Sequence, residues 1–380
     1  MNKIATILFA GDFVPHGRTK TLVDNGEYDK IITNDVKLVI EDADYSVVNL
    51  EAPVTEVGYK PIKKVGPILS AGANTPDAIR FAGFKMAVLA NNHMNDYGEE
   101  GILNTLARCE AAGLDTIGAG KNREEAAKYI IKEIEGRKVV FINCCEHEFS
   151  ITSPDKPGCN PLDPIDQSYL IQEAKRNADF VIVIVHGGIE HYKLPSPRMQ
   201  KTYRFFIDQG ADVVINHHQH CYSGYEFYKG HPVIYGLGNF CFDWSAQSSK
   251  KWQEGYMVKL TIENNIELEL IPYIQNDEEV GVRRMNQEES DLFYKEIERL
   301  NSIIGDSEQL CEEYESFLCR TDKDFRAVPS VYSGRIMTAL CRKGLLPVLK
   351  SKYRFRRLWL NISCESHLDR LKHYLLTNTY

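Results

Sequence analysis

The chain has 380 residues, 43% of them hydrophobic and 26% charged, which is long enough to bury a large core and typical of a soluble globular protein. Its formal net charge of -8 argues against nucleic acid as a partner, because binding to phosphates needs a basic surface. The ten cysteines contain no CxxC pair, which favours free buried thiols over a disulfide framework.

The first apolar run of the chain, residues 4–10, predicts a β-strand. It is too short for the hydrophobic region of a typical signal peptide, and it ends in Gly11-Asp12 instead of a cleavage site of small residues. No run of the sequence approaches the roughly 20 apolar residues that span a bilayer. We therefore expect a cytoplasmic protein.

Short apolar runs alternate with helical patterns along the first two thirds of the chain. The predicted strands cover residues 4–10, 45–50, 86–90, 138–143, 180–185 and 213–215. The predicted helices cover residues 34–41, 76–82, 99–112, 163–177 and 197–209. Most of the strands are continuously apolar, which is typical of strands buried on both faces of a sheet. The alternation favours an α/β fold built in layers.

Two hairpin patterns follow the last of these strands, and helical patterns follow the hairpins. The predicted β-hairpins pair residues 225–228 with 232–235 and residues 256–262 with 266–273. We interpret them as a second, antiparallel sheet behind the first. A polar boundary at 276–279 precedes apolar positions at helical spacing in 292–304 and 310–318. The predicted organisation is a layered domain at 1–275 and a helical extension at 276–380.

Side chains that can bind metal ions follow five of the predicted strands. They are Asp12, Glu51, the cluster of Asn91, Asn92, His93 and Asp96, the pair His186 and Glu190, and the cluster of His217, His218 and His220. The last cluster is the most informative, because neutral imidazole is the commonest protein metal ligand and histidine makes up only 11 of the 380 residues. In open α/β sheets, ligands bind beyond the carboxyl ends of the strands, so the five segments are expected to meet in one crevice.

The candidate ligands are carboxylates, an amide oxygen and imidazoles. Oxygen and nitrogen donors without thiolate suit Mn, Fe, Zn or Co better than a soft metal. Five or six donors exceed the three that hold a typical catalytic zinc, which favours two divalent ions bridged by a carboxylate. Such a pair of ions can clamp an anion and generate hydroxide at neutral pH.

Each segment also has an ordinary structural explanation. Asp12 could cap a turn, and Glu51 could pair with a surface lysine. The amide of Asn91 or Asn92 could bond to loop backbone, and His186 could be a hydrogen-bonded core histidine. Because five strand ends carry such residues together, we favour a shared metal site over five separate explanations.

The quoted segments resemble the CapA family of capsule-synthesis proteins, also called the PGA_cap (poly-γ-glutamate capsule) family, over about residues 4–245. The matching strings are Gly11-Asp12, the Asn-Leu-Glu-Ala-Pro of 49–53, the Ala-Asn-Asn-His of 90–93 with Asp96 and Gly98, the His-Gly-Gly-Ile-Glu of 186–190, and a long string from Gly210 through His218-Gln219-His220 to Asp243. The resemblance implies a calcineurin-like metallophosphoesterase fold, in which a core of two β-sheets is flanked by helices as four α/β/β/α layers.

The resemblance also implies roles for nine residues. The implied metal ligands are Asp12, Glu51, Asn92, His186, His218 and His220. The implied catalytic and supporting residues are His93, Asp96 and Glu190. Glu51 stands where related phosphoesterases place the bridging carboxylate, and His93 stands where a histidine steadies the anion or protonates the leaving group. Asp96 and Glu190 would orient a ligand imidazole, and His217 ranks below its neighbours.

The chain departs from the family pattern at several positions. Related phosphoesterases carry a metal-binding histidine two residues after the first aspartate, and here that position is Val14. His16 lies nearby, but its spacing is wrong for a direct replacement. Asn216 and Gln219 stand where the family usually has Gly and Pro.

Two basic segments have alternative interpretations. Arg18, Lys60, Lys63 and Lys64 lie near the expected mouth of the site and would either recruit an anionic substrate or be solvated loop charges. Residues 342–357 hold seven Lys or Arg among apolar residues, with Trp359 just beyond. The segment 342–359 predicts either a solvated helix or a basic surface that places the protein peripherally on an anionic membrane.

The leading functional prediction is a metal-dependent hydrolase, with a phosphoester as substrate, that acts in the synthesis of a capsule or extracellular polymer, poly-γ-glutamate or polysaccharide. The expected partners are a small anionic or polymer-derived substrate and the polymer-synthesis machinery. One alternative is hydrolysis or transfer at a γ-glutamyl amide. Another is a polymer-assembly component that has kept the fold and lost turnover, which the valine at position 14 favours.

Overall fold

The computed structural model describes residues 4–244, 249–263, 265–321 and 352–377, together with residues 336 and 340. The strands in this part of the chain are β1 (Ala5–Phe13), β2 (Tyr45–Leu50), β3 (Met86–Val88), β4 (Asp115–Ile117), β5 (Ala119–Gly120), β6 (Ile130–Ile134), β7 (Arg137–Cys145), β8 (Gly158–Cys159), β9 (Phe180–His186), β10 (Val213–His217), β11 (Tyr225–Tyr228), β12 (His231–Ile234), β13 (Asn239–Cys241), β14 (Glu254–Ile262), β15 (Ile266–Gln275) and β16 (Val282–Arg284). The helices are α1 (Gly17–Asp24), α2 (Asn34–Glu41), α3 (Thr75–Phe81), α4 (Gly98–Ala111), α5 (Arg123–Ala126), α6 (Pro164–Asn177), α7 (Pro197–Asp208), α8 (Lys250–Gln253), α9 (Gln287–Gly305), α10 (Ser307–Thr321), α11 (Lys352–Ser363) and α12 (Glu365–Thr377). A single turn of 3-10 helix lies at Tyr28–Lys30.

Most of these strands belong to two large sheets. The first sheet has the order β16-β15-β14-β1-β2-β3-β4, and β13 also pairs with β1. The second sheet has the order β11-β12-β10-β9-β7-β6, and β5 pairs with β8 outside both. Strands β1 to β4 are parallel to one another, as are β7, β9, β10 and β12. The carboxyl ends of each parallel set therefore lie at one edge of their sheet.

The two sheets pack face to face, and helices cover their outer faces. The ring of Phe141 in β7 lies 6.4 Å from that of Phe9 in β1 and 5.4 Å from that of Tyr45 in β2. Leu8 of β1 belongs to the opposite face, where it shares a buried apolar cluster with Val36 of α2 and with residues of α3 and α4. Helices α6 and α7 pack on the second sheet. This α/β/β/α layering confirms the predicted fold class.

The elements predicted in the first two thirds of the chain are present, with ends that differ by a few residues. Strand β1 runs beyond the predicted end because it pairs there on both sides: Asp12 lies opposite Asn49 of β2 and Asn239 of β13. Helix α1 and short strands such as β4 and β13 were not predicted from the sequence. Three residues are too few to show a periodicity that distinguishes a strand from a loop.

Both predicted hairpins form, but the prediction that they build a separate antiparallel sheet is wrong. The hairpin β11–β12 joins the second sheet, in which β12 runs parallel to β10. The hairpin β14–β15 joins the first sheet, in which β14 runs antiparallel to β1. Each hairpin covers the edge of a parallel sheet whose backbone N–H and C=O groups would otherwise be unpaired. The second sheet is therefore mixed, with β7, β9, β10 and β12 as its parallel centre.

The helices that follow the sheets pack against the same core. Phe293 and Leu300 of α9 and Leu310 and Leu318 of α10 are buried in the apolar cluster that lies between the sheets and under α7. Helix α12 pairs with α11 and contacts α10. The strand β16 lies in the part of the chain for which helices were predicted, and it extends the first sheet through β15. The division of the chain at residue 275 stays a prediction.

No helix in the described ranges is long and apolar enough to cross a membrane. Most of the basic segment 342–357 lies outside the described residues. Its described part begins helix α11, where Trp359 is 64% exposed. Contact of this segment with lipid remains a prediction.

Candidate metal centre

The polar side chains identified in the sequence meet at the carboxyl ends of the parallel strands. Asp12 lies near the end of β1, and Glu51 directly follows β2. His186 and His217 end β9 and β10 and lie opposite each other in the second sheet. Because the sheets face each other, residues from both contribute to one buried site.

Glu51 lies at the centre of this site. Its side chain is fully buried, and neither carboxylate oxygen has a hydrogen-bond partner among the described residues. The Nε2 atoms of His186 and His220 lie 3.3 and 3.7 Å from Oε1. Burial raises the pKa of Glu51 well above its ordinary value. A buried carboxylate without a donor is costly, so it is either protonated or compensated by a positive charge.

Glu51 is shared by two groups of potential ligands. One group is Asp12, Glu51 and His220, and the other is Glu51, His186 and His218. Within each group, one ligand atom from every residue lies within 4.8 Å of the others. A carboxylate common to two such groups is the arrangement expected of a bridging ligand between two ions.

In the first group, Asp12 is surrounded by hydrogen-bond donors and imidazoles. Asn49 donates its side-chain amide to Oδ1 over 2.7 Å, and the Nδ1 atoms of His217 and His220 lie 3.3 and 3.6 Å from the carboxylate. Burial would raise the pKa of Asp12, but these imidazoles hold it well below its usual range. Burial lowers the pKa of His220, yet Glu51 and Asp12 outweigh that effect and raise it to about 10.

Asn239 selects which nitrogen of His220 faces the site. The Nδ1 atom of His220 lies 3.0 Å from Asn239 Oδ1, and the amide of Asn239 donates to the backbone carbonyl of His220 over 3.2 Å. The second contact fixes the amide orientation, so Oδ1 accepts a hydrogen from Nδ1. The Nε2 atom is then the nitrogen that His220 directs at Glu51.

In the second group, three polar atoms crowd the Nε2 atom of His186. Asn92 Oδ1 lies 3.1 Å from it, His218 Nδ1 lies 3.1 Å from it, and the nearer oxygen of Glu51 lies 3.3 Å from it. An imidazole nitrogen carries at most one hydrogen, so Nε2 cannot donate to all three. Burial and the neighbouring His218 lower the pKa of His186 well below its ordinary value, which disfavours an extra proton there. A cation would satisfy these lone pairs together.

The loop after β10 holds its histidines in a strained backbone. His218 and His220 have φ angles of 93° and 54°, in the left-handed region that non-glycine residues rarely adopt. The buried amide of Asn216 anchors the loop by donating to the carbonyls of Gly187 and Tyr235 over 2.9 and 3.0 Å. Left-handed residues cost about 1–3 kcal/mol each and persist where the surroundings over-determine them. Asn216 therefore ties the loop to the segments of Gly187 and Tyr235.

His217, which was predicted to matter less than its neighbours, lies inside the site. Its ring is buried, neither ring nitrogen has a hydrogen-bond partner among the described residues, and Nδ1 lies 3.3 Å from Asp12. Val14 is buried and offers no donor. The Nδ1 atom of His16 bonds instead with the carbonyl of Asp243, and its ring stacks on Trp244. His217 is thus the imidazole placed beside Asp12 where Val14 supplies none.

These donors fit divalent cations. In this site, the two oxygens of Glu51 and the two ring nitrogens of His217 have no hydrogen-bond partner among the described residues. The other potential ligands around them are carboxylate, amide and imidazole groups, without a thiolate. Hard and borderline ions such as Mn, Fe, Zn or Co prefer this set.

His93 directly follows the candidate ligand Asn92, and its ring has a hydrogen-bond partner. Its Nδ1 atom lies 2.7 Å from Asp96 Oδ2, and that oxygen also accepts the backbone N–H of Leu69 over 2.7 Å. The Nζ atom of Lys64 lies 3.1 Å from the same ring nitrogen and pairs with the other oxygen of Asp96. Burial and the charge of Lys64 lower the pKa of His93. Asp96 therefore orients His93, a role close to the predicted one.

The remaining predicted residues lie at the edge of the site. Glu190 is exposed on the loop after β9, and although desolvation opposes it, the charges of His220 and His218 lower the pKa of Glu190 to about 2. Of the predicted substrate-recruiting cations, Arg18 pairs with Asp243 and Lys64 is buried against Asp96.

Three supporting residues were not among the predicted site residues. Asn49 donates to Asp12 and lies 3.2 Å from the Nδ1 atom of His186, so it connects the two ligand groups. Asn239 orients His220, as described above. Glu148 accepts the side-chain N–H of Asn92 over 3.0 Å. Asn49 lies in a string already singled out, whereas no local pattern marks Glu148.

Residues 6–244 match the model of the family described as "Bacterial capsule synthesis protein PGA_cap". The chain belongs to this family. The match confirms the resemblance seen in the strand-end strings. It extends from β1 through β13.

Two curated relatives from Bacillus are similar over the same part of the chain. "Capsule biosynthesis protein CapA" of Bacillus anthracis is 32% identical over 250 residues, which are 64% of this chain and 61% of the relative. "PGA biosynthesis protein CapA" of Bacillus subtilis is 31% identical over 240 residues, 62% of each chain. The chain thus spans about three fifths of the length of these relatives. A "Probable polyglutamine synthesis accessory protein" of Mycobacterium tuberculosis is 25% identical over 69% of this chain and 73% of its own length.

Solved structures are similar at a greater distance. A hypothetical protein from Thermus thermophilus has a TM-score of 0.46 at 14% identity, covering 71% of this chain and 100% of its own. A 5'-nucleotidase precursor from the same organism has a TM-score of 0.45 at 12% identity, covering 78% of this chain and 57% of its own.

Proposed function

We propose that this PGA_cap protein is a hydrolase that uses two divalent metal ions and acts on a phosphoester in the synthesis of a capsule or extracellular polymer. The observation that carries the proposal is Glu51, a buried carboxylate with two unpaired oxygens that is common to two groups of ligands. The names of the Bacillus relatives support the polymer context.

The two ions would divide the ligands between them. Asp12, Glu51, His220 and His217 would hold one ion, and Glu51, Asn92, His186 and His218 would hold the other. Bound there, the ions would polarise a phosphoryl oxygen and lower the pKa of a water molecule. The support is the geometry of the donors described above, and Mn, Fe, Zn and Co all suit them.

His93 would transfer the proton in this reaction. Asp96 holds the Nδ1 side of the ring, so Nε2 is the nitrogen from which His93 would donate to the leaving oxygen. Burial and Lys64 lower the pKa of His93, which makes the protonated ring a stronger acid. Once the proton has left, the shorter contact with Asp96 favours the tautomer that keeps its hydrogen on Nδ1.

Two basic residues near the site are already in ion pairs, which favours a substrate whose anionic group binds to the metal ions. Arg18 and Lys64 are engaged by Asp243 and Asp96, so neither is free to hold a substrate without losing an ion pair. A phosphoester would therefore be recognised mainly by the bound ions. The name of the Bacillus subtilis relative refers to PGA, which keeps hydrolysis or transfer at a γ-glutamyl amide as a second candidate for the same site.

A non-catalytic role in polymer assembly is the third candidate, and Val14 is the observation that favours it. A buried valine provides no metal ligand where related phosphoesterases have a histidine. The proposal of catalysis therefore requires His217, from a different strand, to act as the ligand beside Asp12.

The test combines metal analysis with turnover. Protein purified without chelator is analysed for transition metals and assayed with bis(p-nitrophenyl) phosphate and with γ-glutamyl-p-nitroanilide. We expect two equivalents of metal and phosphodiester turnover, both lost or strongly reduced in His218→Ala. His231→Ala is the matched control, because that histidine lies on strand β12 and bonds with the carbonyl of Asp212, away from the site.

Each alternative has its own outcome. Turnover of the anilide without the phosphodiester would replace the phosphoesterase with an amidase. A folded protein that binds no divalent ion and turns over neither compound would refute catalysis and leave the assembly role.

A further inference from the structure

The C-terminal helix α12 reaches the wall of the metal centre through residues 146–148. Glu148 accepts the side-chain N–H of Asn92 over 3.0 Å, and its neighbour Glu146 accepts the backbone N–H of Gly188 over 3.1 Å. Asn92 is a candidate ligand, and Gly188 lies in the loop that follows His186. The segment 146–148 therefore touches two of the chain segments that build the second ligand group.

The contact with Glu148 determines which end of the Asn92 amide faces the ligands. An amide has a donating nitrogen and an accepting oxygen, and only the oxygen binds a hard cation. With Nδ2 held by Glu148, Oδ1 is directed at the Nε2 atom of His186, 3.1 Å away. The Glu148 side chain is 8% exposed, so water competes little for this bond.

Two residues of α12, and Cys364 directly before it, hold this acidic segment in place. The hydroxyl of Ser366 donates to Glu146, with oxygen distances of 2.8 and 3.0 Å, and the ring of His147 lies 2.5 Å from a carboxylate oxygen of Glu365. On Glu148, the other carboxylate oxygen lies 3.8 Å from the thiol of Cys364. The segment is thus fixed from both sides, by the site loops and by the helix.

Arg198 also connects α12 to the segment 146–148, through ion pairs with a residue of each. Its guanidinium lies 2.7 Å from Glu146 and 2.6 Å from Asp369 of α12, and the pair at Glu146 is almost fully buried on the glutamate side. Buried ion pairs that share partners are costly to break one at a time, so the helix and the segment 146–148 are expected to move together.

We propose that Glu148 is a positioning residue for the metal ligand Asn92, and that α12 holds Glu148 in that position. This inference rests on the proposed function, because it assigns Asn92 to one of the two ions. The helix outside the family match then belongs to the metal centre. Residues that orient a metal ligand commonly change metal affinity 10- to 100-fold.

The test measures Mn²⁺ binding to metal-stripped full-length protein by titration calorimetry. In Glu148→Ala we expect one of two ions to bind about 10- to 100-fold more weakly and the other to bind as in the wild type. Glu148→Gln keeps an oxygen that can accept from Asn92 and is expected to restore affinity. Glu365→Gln loosens the clamp at His147 and is expected to weaken the same ion by a smaller factor.

Matched measurements separate positioning from simple stability. Glu226→Gln removes another ion-paired carboxylate, the partner of Arg204, and is expected to leave both affinities unchanged. A purely structural role would lower the unfolding midpoint of metal-free Glu148→Ala without selectively weakening one ion. Should that variant not fold, Glu148→Asp takes its place, because the shorter side chain withdraws from Asn92.

The outcomes distinguish the two proposals. A wild type that binds two ions beside a Glu148→Ala variant that binds both equally well overturns the positioning role and leaves the proposed function intact. A wild type that binds none of Mn²⁺, Fe²⁺, Co²⁺ and Zn²⁺ overturns both.

Discussion

Replacing Glu51 by Gln is expected to have opposite effects on the protein with and without metal. The carboxylate is fully buried, and its oxygens have no hydrogen-bond donor among the described residues. In metal-free protein it is therefore a burden, whereas with ions bound it is the ligand common to both. Gln has nearly the same shape, so the substitution removes the charge without opening a cavity.

The expected change in the free energy of unfolding differs between the metal-free and the metal-bound protein. An unsatisfied buried polar group costs about 1–3 kcal/mol, and more when it is charged. The new amide nitrogen would lie near the Nε2 atoms of His186 and His220, which are 3.3 and 3.7 Å from Oε1. We thus expect metal-free Glu51→Gln to be more stable than the wild type by about 1 kcal/mol or more. Saturating metal at 100 times its dissociation constant adds about 2.7 kcal/mol per ion to the wild type, and the variant would lose most of it.

The assay is thermal unfolding of both proteins, stripped with chelator and then saturated with Mn²⁺. The variant should have the higher midpoint without metal and the lower midpoint with it. Glu226→Gln, whose carboxylate is paired with Arg204, should lower the midpoint by the same amount in both conditions. A Glu51→Gln midpoint that shifts in one direction irrespective of metal would refute the argument that a bridging ion compensates this carboxylate.

Three further outcomes follow from single contacts. His217→Ala should weaken one Mn²⁺ about 10- to 100-fold in calorimetry, and unchanged binding of both ions would exclude His217 as the replacement ligand. Gly11→Ala should destabilise the protein by about 1–3 kcal/mol in urea unfolding, because a β-carbon there would lie 1.9 Å from the carbonyl oxygen of Gly238; a variant as stable as the wild type would contradict this. The hydrogen bond to Glu365 raises the pKa of His147 above 6.5, so its stabilisation is complete below that pH and is lost as pH rises through the raised pKa. The midpoint difference between wild type and His147→Gln should accordingly be larger near about pH 6 than near about pH 9, and a pH-independent difference would rule the bond out.

The sequence predicted the convergence of the strand ends because two local signals coincide there. Continuous apolar runs identify buried parallel strands, and the polar residue after each run marks the edge where parallel strands end. Asp12, Glu51 and His186 could therefore be placed in one crevice without coordinates. The sequence could not show in the same way that His217 lies inside the site, since the face of β10 to which its side chain points depends on the pairing with β9.

Contacts distant in sequence explain what the patterns missed. The bond between Asn92 and Glu148 joins residues 56 positions apart, and α12 meets Glu146 across 220 positions. Neither apolar periodicity nor motif spacing contains information on such pairs. The hairpins illustrate the same limit, because each was recognisable locally while the sheet that it joins is decided by the free edges of the parallel strands.

The loop after β10 shows how local strain and ligand geometry belong together. On an extended continuation of β10, His218 and His220 would point to one face and lie about 6.5 Å apart along the strand, whereas His217 would point to the other face. The three rings therefore could not all reach the site from a straight strand. The φ angles of 93° and 54° turn the chain back after His217 and bring the rings of His218 and His220 to the carboxylate of Glu51. Such a backbone is unfavourable by about 1–3 kcal/mol per residue, and the bonds from Asn216 to the carbonyls of Gly187 and Tyr235 offset part of that cost. The strain therefore accompanies the gathering of three imidazoles from one strand end around Asp12 and Glu51.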